Sequence, residues 1–430
     1  MSKSNQSSTY GTDSIRADGR KSWVSIFVIM AGMIFAVSKV VYGGKVGTFL
    51  PLSQAFWAIL LGNVLLTLVT IPVAGIGADT GLGVFELVKY SFGQVGGKFI
   101  IVLQLLVRLG WAGIGTILVI ELLSFYIPFL ATPVGFAIAG ILINLLFIVT
   151  VWTGFDGLSI ISKLAVPLIL VIFVIALFQV ERLHGIASVI TKEPTDPKSF
   201  FFVVNGIFFS WIGAVINSPN THRFARSRKD SAVAIALAFV LCAPIVYGVG
   251  AITSLATGYG DVPNIFNALG LTSLSAVLVL LLTWTTNSES FYSTSLGFTS
   301  LLPIKNKAVI LLFPFCISTV FTLVDLYSSF MLWVDFTGFI FCPVIGVLIA
   351  DYYGFKRKYK MTADKIETKI SVASVVGIAV GIATNLLIPL YGAMLGIVTS
   401  ALAYYVMNRF VIPDKTLKKA LETSAEEEVL

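Results

Sequence analysis

Arg108 stands one helical turn before Trp111, inside a long apolar stretch. A charge there is costly in any dry setting, so it implies a partner or a task. A guanidinium offers only donors and suits a solute rich in carbonyl oxygens, or an anionic one. Further along, Thr283-Trp284-Thr285-Thr286-Asn287-Ser288-Glu289-Ser290 places polar groups in another apolar stretch. The Asn287 amide carries donors and an acceptor, matching the paired edge of a pyrimidine or purine. Glu289 is the nearest available anion for Arg108 and for a second buried cation, Lys39. Trp111 and Trp211 also fall within apolar stretches, where an indole fills core or sits in an interfacial belt as readily as it stacks on a solute. No nucleophile–base set stands beside these residues. The two histidines and three cysteines show no metal-ligand spacing. Binding and movement of a solute fit this inventory, and catalysis does not, so the chain is not expected to be an enzyme.

These residues sit in a chain that is 57% hydrophobic and 12% charged, with a mean hydropathy of +0.93. So much apolar surface over 430 residues exceeds what a water-soluble core needs. A bilayer span takes roughly 20 apolar residues, and about twelve such stretches lie within 23–408. The expectation is an all-α integral membrane protein with polar tails at 1–22 and 409–430. Basic residues crowd one set of loops, whereas Lys45, Arg182, Lys192 and Lys198 alone fall on the other. By the positive-inside rule both termini are cytoplasmic, in the cell membrane. Because the basic residues behind the +7 net charge are spread over many loops, they argue for orientation in a lipid bilayer and against nucleic acid. Oligomeric state is left open.

Three apolar stretches are interrupted. The first holds Val37-Ser38-Lys39-Val40-Val41-Tyr42-Gly43-Gly44. The sixth holds Ser210-Trp211-Ile212-Gly213 and ends in Asn217-Ser218-Pro219-Asn220, and the eighth holds the Thr285–Glu289 cluster. Matching interruptions in the first and sixth spans point to an inverted-repeat transporter whose broken helices form the binding site. The repeats are expected at about 23–180 and 199–351, with two extra helices at about 369–408. An ion channel lacks support, since no filter-like repeat appears.

An ordered set of short motifs sharpens this reading. Gly43-Gly44-x-x-Gly47-Thr48, Leu61-Gly62-Asn63, Gly77-Ala78-x-Thr80-Gly81, Tyr90-Ser91-Phe92-Gly93, Leu109-Gly110-Trp111, Arg223-Phe224-Ala225-Arg226, Trp284-Thr285-Thr286-Asn287 and Ala350-Asp351-Tyr352-Tyr353 occur in that order. Together they resemble the nucleobase–cation symporter family one, the purine-cytosine permeases, with the cytosine permeases as the nearest group. The resemblance implies a five-plus-five inverted repeat and cation-driven import of a nucleobase or related heterocycle by alternating access. It implies that Trp111 and Trp211 sandwich the ring, with Asn287, Arg108, Val37 and Gly213 as further substrate contacts. It also implies sodium at the hydroxyls of Thr285 and Thr286, and no other cofactor. Two residues depart from the family pattern. Arg108 replaces a neutral amide, which favours uracil, xanthine, hydantoin-like or allantoin-like rings over cytosine. Lys39 brings an ammonium to the helix break, where it is expected to stand in for sodium or to titrate together with Glu289. The runner-up is a carrier of the same fold for an anionic or amino-acid-like solute.

Overall fold

The computed structural model describes residues 15, 19–152, 155–302, 304, 306–355, 366, 368–388 and 392–412. The side chains of Val37, of 155–164 and of Ala393 lie outside that description, as do most of the expected tails. The described residues form helices joined by short connections, with one isolated bridge between Lys21 and Ala225. Among the described residues, eight helices are long and apolar enough to cross a membrane, or nine when α1 (Trp23–Ile34) and α2 (Val37–Phe49) count as one bent span.

The bend between α1 and α2 is 58°. It sits at Phe35 (φ −72°, ψ 68°) and Ala36 (φ −108°, ψ 142°), whose backbones leave the helical region. The expected interruption therefore exists, but upstream of Gly43-Gly44. Those glycines serve packing instead. α2 lies along α10 (Ala243–Thr257), and a Cβ on Gly43 would stand 2.4 Å from the Tyr247 carbonyl oxygen. On Gly47 it would stand 2.4 Å from the Ala251 carbonyl oxygen, and on Gly250 it would stand 2.6 Å from that of Val40. Small residues on both helices let the backbones touch, which is the usual basis of tight helix association in lipid.

The expected break in the sixth span is absent. α8 runs as one helix from Phe200 to His222. Its polar residues are absorbed locally: Ser210 Oγ donates to the Ile207 carbonyl, and Asn217 Nδ2 donates to that of Gly213. Such back-bonding lets polar side chains sit in a helix without unwinding it. Gly206 is a close-approach site, where the Tyr42 hydroxyl occupies the space a Cβ would need. α12 (Thr272–Leu301) is likewise continuous, and its hydroxyls bond carbonyls three or four residues back.

α4 (Val84–Ser124) starts well before the expected span at 98–125. A kink at Gly93 (φ 82°, ψ 172°) divides it. The N–H groups of Gln94 and Val95, freed by the kink, donate to the carbonyls of Thr368 and Lys369. The left-handed φ is one that glycine adopts at little cost.

Among the remaining helices, α3 (Leu52–Thr80) packs along α8, and α4 packs along α12. α5 (Pro133–Trp152) and α6 (Phe155–His184) flank α12, while α13 (Lys307–Leu323) and α14 (Phe330–Ile349) flank α4. α15 (Val372–Leu387) and α16 (Gly392–Val406) pair with each other against α14. At one end of the bundle the N-terminal segment straps three elements together. Lys21 N donates to the Phe224 carbonyl at 2.6 Å and Arg226 N to the Lys21 carbonyl at 3.0 Å. Arg228 pairs with Asp79, which also accepts from the Tyr352 hydroxyl.

Candidate substrate cavity

A cavity opens where the α1–α2 break meets α4, α8, α12 and α14. Met33, Ala36 and Ser38 from the break line it, so the unwound backbone faces a cavity as membrane-depth irregularity requires. α4 contributes Gln104, Arg108 and Trp111, which are four and three residues apart and therefore share one helix face. α8 contributes Ser210, Trp211, Gly213 and Asn217. α12 contributes Thr286, Asn287, Glu289 and Ser290, and α14 contributes Phe341.

The two tryptophans expected to sandwich a ring thus reach one cavity. Trp111 is braced edge-on by Phe330, with ring centroids 5.7 Å apart. Trp211 is braced by a cation: Lys39 Nζ lies 3.9 Å from its ring centroid. Arg108 forms an ion pair with Glu289, the anion expected for it. The pair joins α4 to α12 at the cavity wall, with the Arg108 side chain 9% and the Glu289 side chain 27% accessible. The site is therefore close to neutral around this pair.

Lys39 does not join Glu289. Among the described residues it makes no ion pair, and it is only 1% exposed, so its stem does not carry the charge out to solvent. Its ammonium sits among Trp211, Tyr247 and Phe239, at 3.9, 4.7 and 5.7 Å from the ring centroids. It donates to Tyr247 Oη at 3.3 Å, and that hydroxyl lies 3.0 Å from Ser210 Oγ. Since Ser210 donates onward to Ile207, the chain of bonds runs from Lys39 through Tyr247 to the cavity lining. Aromatic faces stabilise a desolvated cation by about 2 kcal/mol or more. Three of them offset part of the cost of an ammonium without a carboxylate. The expected Lys39–Glu289 pair fails because Lys39 follows the bend and faces α8 and α10, while Glu289 is taken by Arg108.

Asn287 lines the cavity, but its amide is partly committed. Nδ2 donates to the Ala112 carbonyl at 2.8 Å and to Thr116 Oγ1 at 3.4 Å, tying α12 to α4. The hydroxyls of Thr285 and Thr286 donate to carbonyls of their own helix, leaving oxygen lone pairs as their remaining capacity. Thr286 reaches the cavity, and Thr285 is not in its lining. Gly213 lines the cavity, while the side chain of Val37 falls outside the described residues.

Gln104 is the residue that sequence reasoning missed. It is fully buried, and neither amide atom has a hydrogen-bond partner among the described residues. Arg108 Nε and Trp211 Nε1 are also buried without one. A usable signal lay in the spacing from Gln104 to Arg108 and Trp111.

A bent first span and paired tryptophans at a cavity between packed helices are features that a secondary transporter would have. The structure of Mhp1, a nucleobase-cation-symport-1 family transporter, in a closed conformation with bromovinylhydantoin bound, aligns with a TM-score of 0.81 at 17% identity, covering 96% of this chain and 98% of that one. Residues 16–411 match the family of permeases for cytosine/purines, uracil, thiamine and allantoin, and the chain belongs to that family. The cytosine permease of Escherichia coli (strain K12) is 29% identical over 411 residues, 94% of this chain and 95% of the relative. A putative allantoin permease of the same strain is 22% identical over 386 residues, 80% of this chain and 79% of the relative. The chain is therefore a multi-pass membrane transporter of the nucleobase–cation symporter family and not an enzyme.

Proposed function

We propose that this protein imports a small, neutral, carbonyl-rich heterocycle by alternating access, with the ring held between Trp111 and Trp211. The observation that carries this reading is the convergence of both indoles on one cavity walled by the Arg108–Glu289 pair. Because Glu289 balances Arg108, an anionic or amino-acid-like solute loses its main attraction, and a neutral ring is favoured. Uracil, xanthine, hydantoin and allantoin-like rings then precede cytosine. The cavity volume is about 90 Å³. That is less than the roughly 150 Å³ that holds one benzene ring, so a nucleoside is too large and a single ring needs the walls to adjust.

Twelve spans are assigned: α1–α2, α3 to α6, α8, α9–α10 (α9 is Arg228–Ala236), α12 to α14, α15 and α16. The first five form one repeat and the next five the other, with both termini cytoplasmic. Packing supports this arrangement. Exchanging the spans of one repeat for their counterparts turns the α2–α10 contact into the α8–α3 contact, the α4–α13 contact into the α12–α5 contact, and the α4–α14 contact into the α12–α6 contact. An inverted repeat predicts this exchange, with the binding site at the repeat interface.

For coupling, Lys39 brings an ionisable amine to the helix break in place of a bound sodium ion, and its gain and loss of a proton drive uptake without sodium. Purified protein in liposomes should accumulate radiolabelled uracil or hydantoin when an inward proton gradient is imposed, with choline replacing sodium. Uptake that vanishes in choline at fixed pH would return the coupling role to sodium at Thr285 and Thr286. Uptake of none of the rings under either condition would refute the import reading.

A further inference from the structure

Within the import reading, we infer that Gln104 and Arg108 together form a three-point hydrogen-bonding edge that selects rings carrying an imide, C(=O)–NH–C(=O). The two residues are one turn apart on the cavity face of α4, and both line the cavity. Three of their polar atoms are buried with no partner among the described residues: Gln104 Nε2, Gln104 Oε1 and Arg108 Nε. The other end of the guanidinium is engaged, since Arg108 Nη2 holds Glu289. These three atoms offer two donor groups, Gln104 Nε2 and Arg108 Nε, and one acceptor, Gln104 Oε1. The complement is an edge of two acceptors around one donor. An imide presents this edge, with its N–H to Gln104 Oε1 and its two carbonyls to Gln104 Nε2 and Arg108 Nε.

The chemistry separates related rings. Uracil and hydantoin carry an imide. Cytosine has a carbonyl, an unprotonated ring nitrogen and an amine, so its ring nitrogen would face the Gln104 carbonyl, acceptor against acceptor. Burial without partners is what makes the residue telling. An amide kept from water without hydrogen bonds is costly, and glutamine at 0% exposure in an apolar helix is rare unless something needs it. The Glu289 pair also fixes the guanidinium rotamer, so that Nε is presented in a set direction.

The test uses methylated uracils as competitors of radiolabelled uracil uptake in liposomes. 1-Methyluracil keeps the imide, and 3-methyluracil loses its N–H. The wild-type protein should accept 1-methyluracil within a few-fold of uracil and 3-methyluracil at least about tenfold more weakly, the loss of one buried hydrogen bond. Gln104→Met, similar in shape and without hydrogen-bonding groups, should bind uracil at least about tenfold more weakly and no longer distinguish the two methyluracils. Equal competition by both analogues on the wild type overturns the assignment and leaves import intact. Discrimination that persists in Gln104→Met overturns it too, since steric fit would then be the cause. The wild-type comparison stands alone if the variant fails to fold.

Discussion

At the scale of single residues, the cavity works by controlling which charges are matched. Arg108 and Glu289 neutralise each other across two helices, and Lys39 is held by aromatic faces instead of a carboxylate. Removing one member of a buried pair strands the other, at a cost of about 3–5 kcal/mol, whereas removing both is far milder. Glu289 is partly accessible, so the low end of that range applies. Glu289→Gln should therefore lower the unfolding temperature in detergent more than the double variant Arg108→Met/Glu289→Leu. The opposite order would mean that the pair contributes little to the fold. Lys39→Met should leave the protein folded, because a linear apolar chain suits the aromatic pocket, yet proton-driven uptake should fall by at least tenfold, about 1.4 kcal/mol. Retained proton-driven uptake would remove Lys39 from coupling. The buried cations and the anion facing Arg108 stood out by residue type, whereas Trp111 and Trp211 were singled out only through the family resemblance. Gln104 was not, because an uncharged polar residue in an apolar stretch attracts no notice until its helix face is compared with that of Arg108 and Trp111.

At the scale of elements, a single bent span does what two were expected to do. The sequence pattern of glycine and polar residues is the same for a break and for a close crossing, which is why α8 and the Gly43-Gly44 pair read wrongly. Both are resolved by neighbours that lie far away in the chain: Tyr42 against Gly206, and the α10 carbonyls against Gly43 and Gly47. Runs of apolar residues coincide with helices, but the kinked extension of α4 was hidden because residues 84–97 mix polar and apolar types. The α2–α10 seam gives a sharp expectation. Gly47→Ala would set a methyl 2.4 Å from the Ala251 carbonyl oxygen, forcing the helices apart. Overpacking of this kind costs about 1–3 kcal/mol. Thermal unfolding should register it, together with reduced transport, whereas Gly248→Ala, with open space around its Cβ position, should behave like the wild type. Equal stability of the two variants would mean that the seam yields freely.

At the scale of the whole molecule, the strap at one end bears on the alternating access proposed above. The N-terminal segment, the turn after α8 and the end of α3 are joined by backbone bonds and by the Arg228–Asp79 pair. Opening that end would break these bonds. Asp79→Ala removes the acceptor shared by Arg228 and Tyr352. It should shift the protein toward the state open at that end, read as faster labelling of a cysteine placed at Asn217. Unchanged labelling would show that the backbone bonds alone hold that end together. The central claim is narrower, namely that a planar ring sits between the two indoles. Equilibrium binding of radiolabelled uracil to the purified protein tests it most directly, comparing the wild type with Trp111→Phe and Trp111→Ala. Partial retention in the Phe variant and a loss of at least about tenfold in the Ala variant is expected, since stacking and apolar burial are both removed. Wild-type affinity in Trp111→Ala would contradict the account.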